Sequence, residues 1–174
     1  DTKPVHRKEI DSEYKAERRP MPDLLREQFP HFRPIVEAFG YSNLEFEGWE
    51  ADDVIATLAT RADEAGSRTC VVSTDRDAFQ LAAADVTILQ PIRGVSELAR
   101  IGPAEVRERY GVEPAQVADF IALRGDPSDR IPGAQGVGEK TAARLLREYG
   151  SLDALLAAGR FEAEADRLRD YRSM

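Results

Sequence analysis

The sequence has one cysteine, Cys70, and two histidines, His6 and His31. A single cysteine excludes an intrachain disulfide and points to a reducing interior, the cytoplasm. So few Cys and His residues also exclude a Cys/His zinc centre. No apolar run approaches the roughly 20 residues that a membrane span needs, and no signal peptide is visible. The first residue is Asp1 rather than Met, as in part of a longer chain. Positive charge is in deficit: 24 Lys and Arg face 32 Asp and Glu, for a net charge of −8. That excludes a coat protein that holds nucleic acid by overall charge, but leaves room for a local basic track. Low-complexity tracts and internal repeats are absent.

What is present is an ordinary globular balance: 174 residues, 42% hydrophobic and 32% charged. A chain of this length buries roughly 70% of its unfolded surface, as one domain or two small ones.

Residues 1–19 are charged and nearly devoid of apolar side chains, which predicts an irregular or loosely helical surface segment. Leu24, Leu25, Phe29, Phe32, Ile35, Val36 and Phe39 then recur at near-helical spacing up to Gly40. Pro30 and Pro34 fall inside that pattern and predict a kink or a late helix start. Residues 44–47 alternate as a short strand would. Ala51, Val54, Ile55, Leu58 and Ala59 form one apolar helix face, and Gly66 stops it.

Residues 69–72 and 86–89 read as short buried strands around a short helix at 77–81, which implies a parallel sheet with helices on its faces. Beyond Ile92 the pattern turns helical, at 103–110, 114–123, 139–149, 151–158 and 161–171. Pro103 and Pro114 suit first-turn positions, and Ser151 suits an N-cap. The reading is an α/β half over 1–100 and a helical half over 101–174.

Three acidic groups stand out: Glu50, Asp52 and Asp53 at a helix start, Asp75 and Asp77 after a strand, and Asp126 and Asp129 in a loop. Each has a plainer reading taken alone. Acids in a first helical turn favour the helix dipole, and Asp-x-Asp after a strand or within a loop commonly shapes a turn. Taken together, converging carboxylates need cations, and with no Cys/His cluster an all-oxygen Mg²⁺ or Mn²⁺ site is the natural chemistry. Two such ions can activate water and stabilise a leaving oxygen in phosphodiester cleavage. The seven carboxylates are expected within about 10–12 Å of one centre, a span that two ions and their water shells fill.

Residues 131–142, Ile-Pro-Gly-Ala-Gln-Gly-Val-Gly-Glu-Lys-Thr-Ala, form the most specific stretch. Gly133, Gly136 and Gly138 allow a tight turn and close approach of backbone to a ligand. The turn feeds a helix whose N-terminus, with Lys140, can bind an anion. A P-loop spacing is not met. A Gly-x-Gly alone is more often a structural helical hairpin, and binding of a sugar–phosphate backbone without base reading fits better than a P-loop.

Four segments, Gly48-Trp49-Glu50-Ala51-Asp52-Asp53, Ser73-Thr74-Asp75-Arg76-Asp77, residues 125–133 and residues 136–142, resemble the bacterial 5′→3′ exonuclease and flap endonuclease family. Order, spacing and residue types agree over nearly the whole chain. Residues 14–18, Tyr-Lys-Ala-Glu-Arg, are similar to the family's arch, placed within 3–30. The resemblance implies a PIN-like α/β nuclease core with a helix-three-turn-helix DNA-binding region.

It also implies that Glu50, Asp52, Asp53, Asp75, Asp77, Asp126 and Asp129 ligate metal or support the ligands, with Asp1 as an eighth acid. Lys15 and Arg18 would contact the scissile phosphate or the threaded strand, with Arg7 and Tyr14 nearby. The hairpin residues Gly133, Gly136, Gly138, Lys140 and Thr141 would grip duplex DNA, with K⁺ bound there. The implied activity is metal-dependent cleavage of 5′ flaps and of nicked or gapped duplexes in replication and repair, by a monomer linked to or working with a DNA polymerase. Three departures from the family pattern exist. Nothing matches the family's first buried strand with its metal-binding Asp, Asp1 lies one residue closer to Arg7 than usual, and Arg130 replaces an Asn. The competing readings are an RNA-cleaving PIN-like nuclease and a DNA-binding homologue that keeps the fold without the chemistry.

Overall fold

The computed structural model describes residues 5–10, 14 and 20–173. Asp1, Lys15 and Arg18 lie outside the described residues. The chain divides into two compact units, Asp1–Val54 and Ile55–Met174, with the division inside one helix.

The first unit holds helix α1 (Val5–Ile10), helix α2 (Asp23–Ala38) and the first turn of helix α3 (Ala51–Glu64). Against the expected kink or late start, α2 runs through both Pro30 and Pro34. Each proline removes the donor for the carbonyl four residues earlier. None of the residues of α2 is buried, so those carbonyls can reach water and the cost falls. Its apolar stripe is open: Leu24, Phe29 and Ile35 are all exposed. Residues 44–47, expected as a strand, are irregular. Alternation alone does not make a strand, because a ladder needs a partner, and among the described residues none pairs with them.

In the second unit, strands β1 (Thr69–Val72), β2 (Val86–Arg93) and β3 (Glu97–Ile101) form a sheet in that order. The expected parallel pair is present, with Thr69 opposite Val86 and Val72 opposite Leu89. The antiparallel β3 is an addition that sequence reading missed, because only Ala99 and Ile101 of its five residues turn away from solvent. Gly94, at φ 57°, makes the β2–β3 turn possible. Register shifts between Pro91 and Arg93, where proline cannot supply a ladder donor.

The helices follow as α4 (Pro103–Tyr110), α5 (Val117–Arg124), α6 (Glu139–Tyr149), α7 (Leu152–Ala157) and α8 (Ala165–Ser173). Pro103 opens α4, and Gly102 donates its backbone N–H to Glu105 at 2.8 Å. That backbone bond holds the Glu105 carboxyl below its ordinary pKa. Pro114 starts a 3-10 turn ahead of α5, and Ser151 caps α7 by accepting the Ala154 amide at 3.2 Å.

One continuous core joins the sheet to the helices. Ile88 of β2, Phe79 of the 3-10 turn Asp77–Leu81, Phe120 of α5, Leu146 of α6, Leu155 of α7 and Leu168 of α8 are all essentially sealed from water. Asp119 is buried with them. It accepts the Leu152 amide at 2.9 Å and lies 3.6 Å from Arg172, fixing α7 and α8 to α5. Among the described residues, no helix is long and apolar enough to cross a membrane.

Candidate functional site

The candidate residues of the first unit meet at the start of α3. Gly48 bends the chain with φ 85° and accepts the Val5 amide at 3.2 Å, which sets α1 beside this bend. Two residues later Glu50 is buried, with 5% of its surface exposed. Arg7 reaches over from α1. Its two terminal nitrogens donate to the two oxygens of Asp53 at 2.7 and 2.8 Å, a bidentate fork. The same guanidinium stands 3.3 Å from Glu50, and Tyr14, also buried, donates its hydroxyl to Glu50 at 3.1 Å.

Burial alone would lower the Arg7 pKa. The hydrogen bond and charge of Asp53, with Tyr14 and Glu50, outweigh burial and hold it above its ordinary value. Asp52 is exposed. Arg7 and Tyr14, expected next to DNA, are thus engaged with carboxylates inside the protein.

In the second unit Asp75 and Asp77 follow the C-terminal end of β1, where ligands of parallel sheets gather. The Asp75 amide donates to the Ser73 hydroxyl at 3.0 Å, and the Asp77 amide donates to the Asp75 carboxylate at 3.0 Å. These bonds launch the 3-10 turn and keep Asp75 at the surface. Beneath them lies an aromatic column. Phe79 and Tyr110 have ring centroids 5.8 Å apart, and Tyr110 and Phe120 are 5.2 Å apart. Burial raises the Tyr110 pKa, and Arg76, Arg124 and Asp77 all act on it. The column therefore ties the acids after β1 to the end of α5, where the third acidic group begins.

That third group sits in a loop closed by reciprocal backbone bonds between Asp126 and Ile131, at 2.7 and 2.8 Å. The Asp126 carboxylate accepts both the amide and the hydroxyl of Ser128. Arg124 stands 3.4 Å from Asp126 and 3.2 Å from Glu139, and stacks over Phe120 at 5.3 Å. It bridges the loop and the head of α6. Sequence reading missed it, since a lone Arg before a Gly-Asp pair carries no pattern.

The glycines of the hairpin separate into different roles. Gly133 is buried, and the close approach it permits is to the chain itself, the backbone of Arg124 and Gly125. The expected approach of Gly133 to a ligand is replaced by this internal packing. Gly136, at φ 75°, and Gly138 are exposed with open space around them. Gly138 caps α6, and Lys140, exposed, and Thr141 complete the first turn of that helix.

Among the described residues, no group of three Asp, Glu, His or Cys side chains is placed to hold a metal ion. The acids are engaged locally instead: Asp53 with Arg7, Asp75 with the Asp77 amide, Asp126 with Ser128. The donor set still suits a hard divalent cation, because carboxylate oxygens dominate and Asp52 and Asp75 are exposed.

Comparison with known proteins divides the chain at a later point than its two compact units do. Residues 1–111 match the 5′-3′ exonuclease, N-terminal resolvase-like domain, and residues 112–174 match the 5′-3′ exonuclease, C-terminal SAM fold. DNA polymerase I of Mycobacterium tuberculosis is 54% identical over 144 residues, 83% of this chain and 16% of that protein. DNA polymerase I of Bacillus caldotenax is 42% identical over 175 residues, 99% of this chain and 20% of that protein. The chain thus spans about a fifth or less of these relatives.

The fold is that of the T5 D15 protein co-crystallised with metal ions, with a TM-score of 0.81 at 22% identity over 98% of this chain and 71% of that one. The catalytic core of Rad2 in complex with DNA substrate shares it more loosely, with a TM-score of 0.57 at 15% identity over 96% of this chain and 52% of that one. A resolvase-like, PIN-type α/β part followed by a SAM-like helical part accounts for both halves, and the chain belongs to the 5′-3′ exonuclease family.

Proposed function

We propose that this chain is a structure-specific 5′ nuclease that hydrolyses phosphodiester bonds of DNA at 5′ flaps, nicks and gaps, using two or more Mg²⁺ or Mn²⁺ ions. The observation that carries the reading is the placing of Asp75 and Asp77 at the C-terminal end of β1, tied through the Phe79–Tyr110–Phe120 column to the loop that holds Asp126. Family membership and structural neighbours solved with metal ions and with DNA support it.

In this reading Glu50, Asp52, Asp75, Asp77, Asp126 and Asp129, with Asp1, supply the oxygen ligands of the ions. When bound, the ions lower the pKa of an attacking water and neutralise the leaving oxygen. Lys15 and Arg18 bind the phosphate about to be cut and stabilise its growing charge. The head of α6, with Gly136, Gly138, Lys140 and Thr141, holds the backbone of the downstream duplex through amide N–H groups and one ammonium, with K⁺ beside it. Gly133 shapes that turn from within. The enzyme works as a monomer in the bacterial cytoplasm, linked to or alongside a polymerase.

The test is a 5′-labelled flap duplex incubated with Mg²⁺ or with EDTA. Release of a short 5′ product only with Mg²⁺ supports the reading. Binding without release in both supports instead a homologue that keeps the fold without the chemistry.

A further inference from the structure

Asp53 lies in the same acidic group as Glu50 and Asp52, and the Arg7 fork closes on it. Both of its oxygens accept from the Arg7 guanidinium, at 2.7 and 2.8 Å. One of them also accepts the backbone N–H of Glu50 at 2.9 Å. The second bond closes the start of α3, because an acid at the third helical position that takes the N–H of the residue before the helix satisfies an otherwise orphaned donor. The first fixes a buried cation directly against the carboxylate: the Arg7 side chain is 10% exposed and that of Asp53 is 20% exposed. A divalent ion ligated by Asp53 would sit next to that fixed positive charge in a partly dry site, where repulsion is weakly screened. Asp52, one residue earlier, is exposed.

We infer that Asp53 is a positioning residue rather than a metal ligand: it holds Arg7 and the first turn of α3, and so sets where Glu50 and Asp52 point. Glu50 shares the arrangement, since Arg7 stands 3.3 Å from it and Tyr14 donates to it. The Arg7–Asp53 fork therefore fixes α1 to the helix that carries Glu50 and Asp52.

The inference rests on the nuclease reading, and the experiment separates the two. Mn²⁺ binding by calorimetry is measured at the chain's natural length for wild type, Asp53→Asn, Asp53→Glu and Asp52→Asn, together with single-turnover cleavage of a 5′ flap. Asp53→Asn should keep the wild-type number of Mn²⁺ ions with affinity within about threefold, while cleavage falls about 10- to 100-fold, the usual effect of losing a supporting partner. Asp53→Glu, which keeps the charge pair, should recover part of the rate. Asp52→Asn should weaken Mn²⁺ binding about tenfold or more.

Should Asp53→Asn fail to fold, Arg7→Gln reads the same interaction from the other side. Its cleavage should fall as for Asp53→Asn while the number of bound Mn²⁺ ions is kept. Loss of one bound Mn²⁺ in Asp53→Asn, or an unaltered cleavage rate in Arg7→Gln, overturns the positioning role alone. A wild-type protein that binds no Mn²⁺ overturns the nuclease reading as well.

Discussion

Gly125 and Gly133 pack backbone against backbone: a Cβ built on Gly133 would come within 2.5 Å of the Gly125 nitrogen, and one built on Gly125 within 2.6 Å of the Ile131 carbonyl. Both residues adopt positive φ, 85° and 74°. The loop that carries Asp126 is thus pinched shut at its base by two residues that have no side chain to intervene.

Gly133→Ala should therefore destabilise the protein by roughly 3 kcal/mol, combining a left-handed backbone penalty of about 1–2 kcal/mol with a backbone overlap of similar size. Gly136→Ala, at φ 75° but with open space around it, should cost only about 1 kcal/mol. Urea unfolding of the two variants checks this. Equal losses would mean that the pinch contributes nothing beyond backbone conformation.

Arg130 is the second backbone prediction. It is held at φ 63°, in the left-handed region that Asn tolerates better than Arg. Arg130→Asn should stabilise the protein by roughly 0.5–1 kcal/mol. A fall in melting temperature would show that the Arg side chain contributes more than the strain costs.

The third prediction is a pH dependence. Arg172 donates to Asp153 at 2.7 Å, and this bond holds the Asp153 carboxyl below its ordinary value. A carboxyl depressed in the folded state stabilises it above the unfolded pKa, about 3.9. That contribution is lost as pH falls through the lower folded value. Wild type should exceed Asp153→Asn in melting temperature at pH 7, and the gap should close as pH drops below about 4. A gap that persists at pH 2 would assign the difference to packing rather than charge.

How much of this was legible in the sequence depends on the kind of signal. The parallel pair β1–β2, the helical second half and the Ser151 cap were legible because each rests on a local pattern of apolar spacing or capping chemistry. Strand β3 was not, since most of its five residues are exposed and it exists only by pairing with β2. The unbroken α2 was misread because proline rules assume a helix shielded from water. Within the site the acids were visible as motifs. Their partners were not: Arg7 is 46 residues from Asp53, and no local pattern reports such a pairing. Gly133 was recognised as necessary, but the sequence does not say whether a glycine admits a ligand or the chain's own backbone.

Lys140 stands exposed in the first turn of α6. Lys140→Ala should weaken duplex DNA binding about equally for all sequences and lower the salt slope by about one unit. Fluorescence anisotropy over a salt series with two unrelated duplexes measures both. Loss confined to one sequence would contradict a backbone-only grip.

The most direct test is single-turnover cleavage of a 5′-flap substrate in Mg²⁺ by Asp75→Asn at the chain's natural length. Asp75 lies exposed beyond β1, and Asn still accepts a hydrogen bond from the Asp77 amide, so the fold should be kept. Cleavage should fall about 100-fold or more while flap binding in EDTA stays unchanged. An unaltered cleavage rate in Asp75→Asn would contradict the assignment of the acids after β1 to the chemistry.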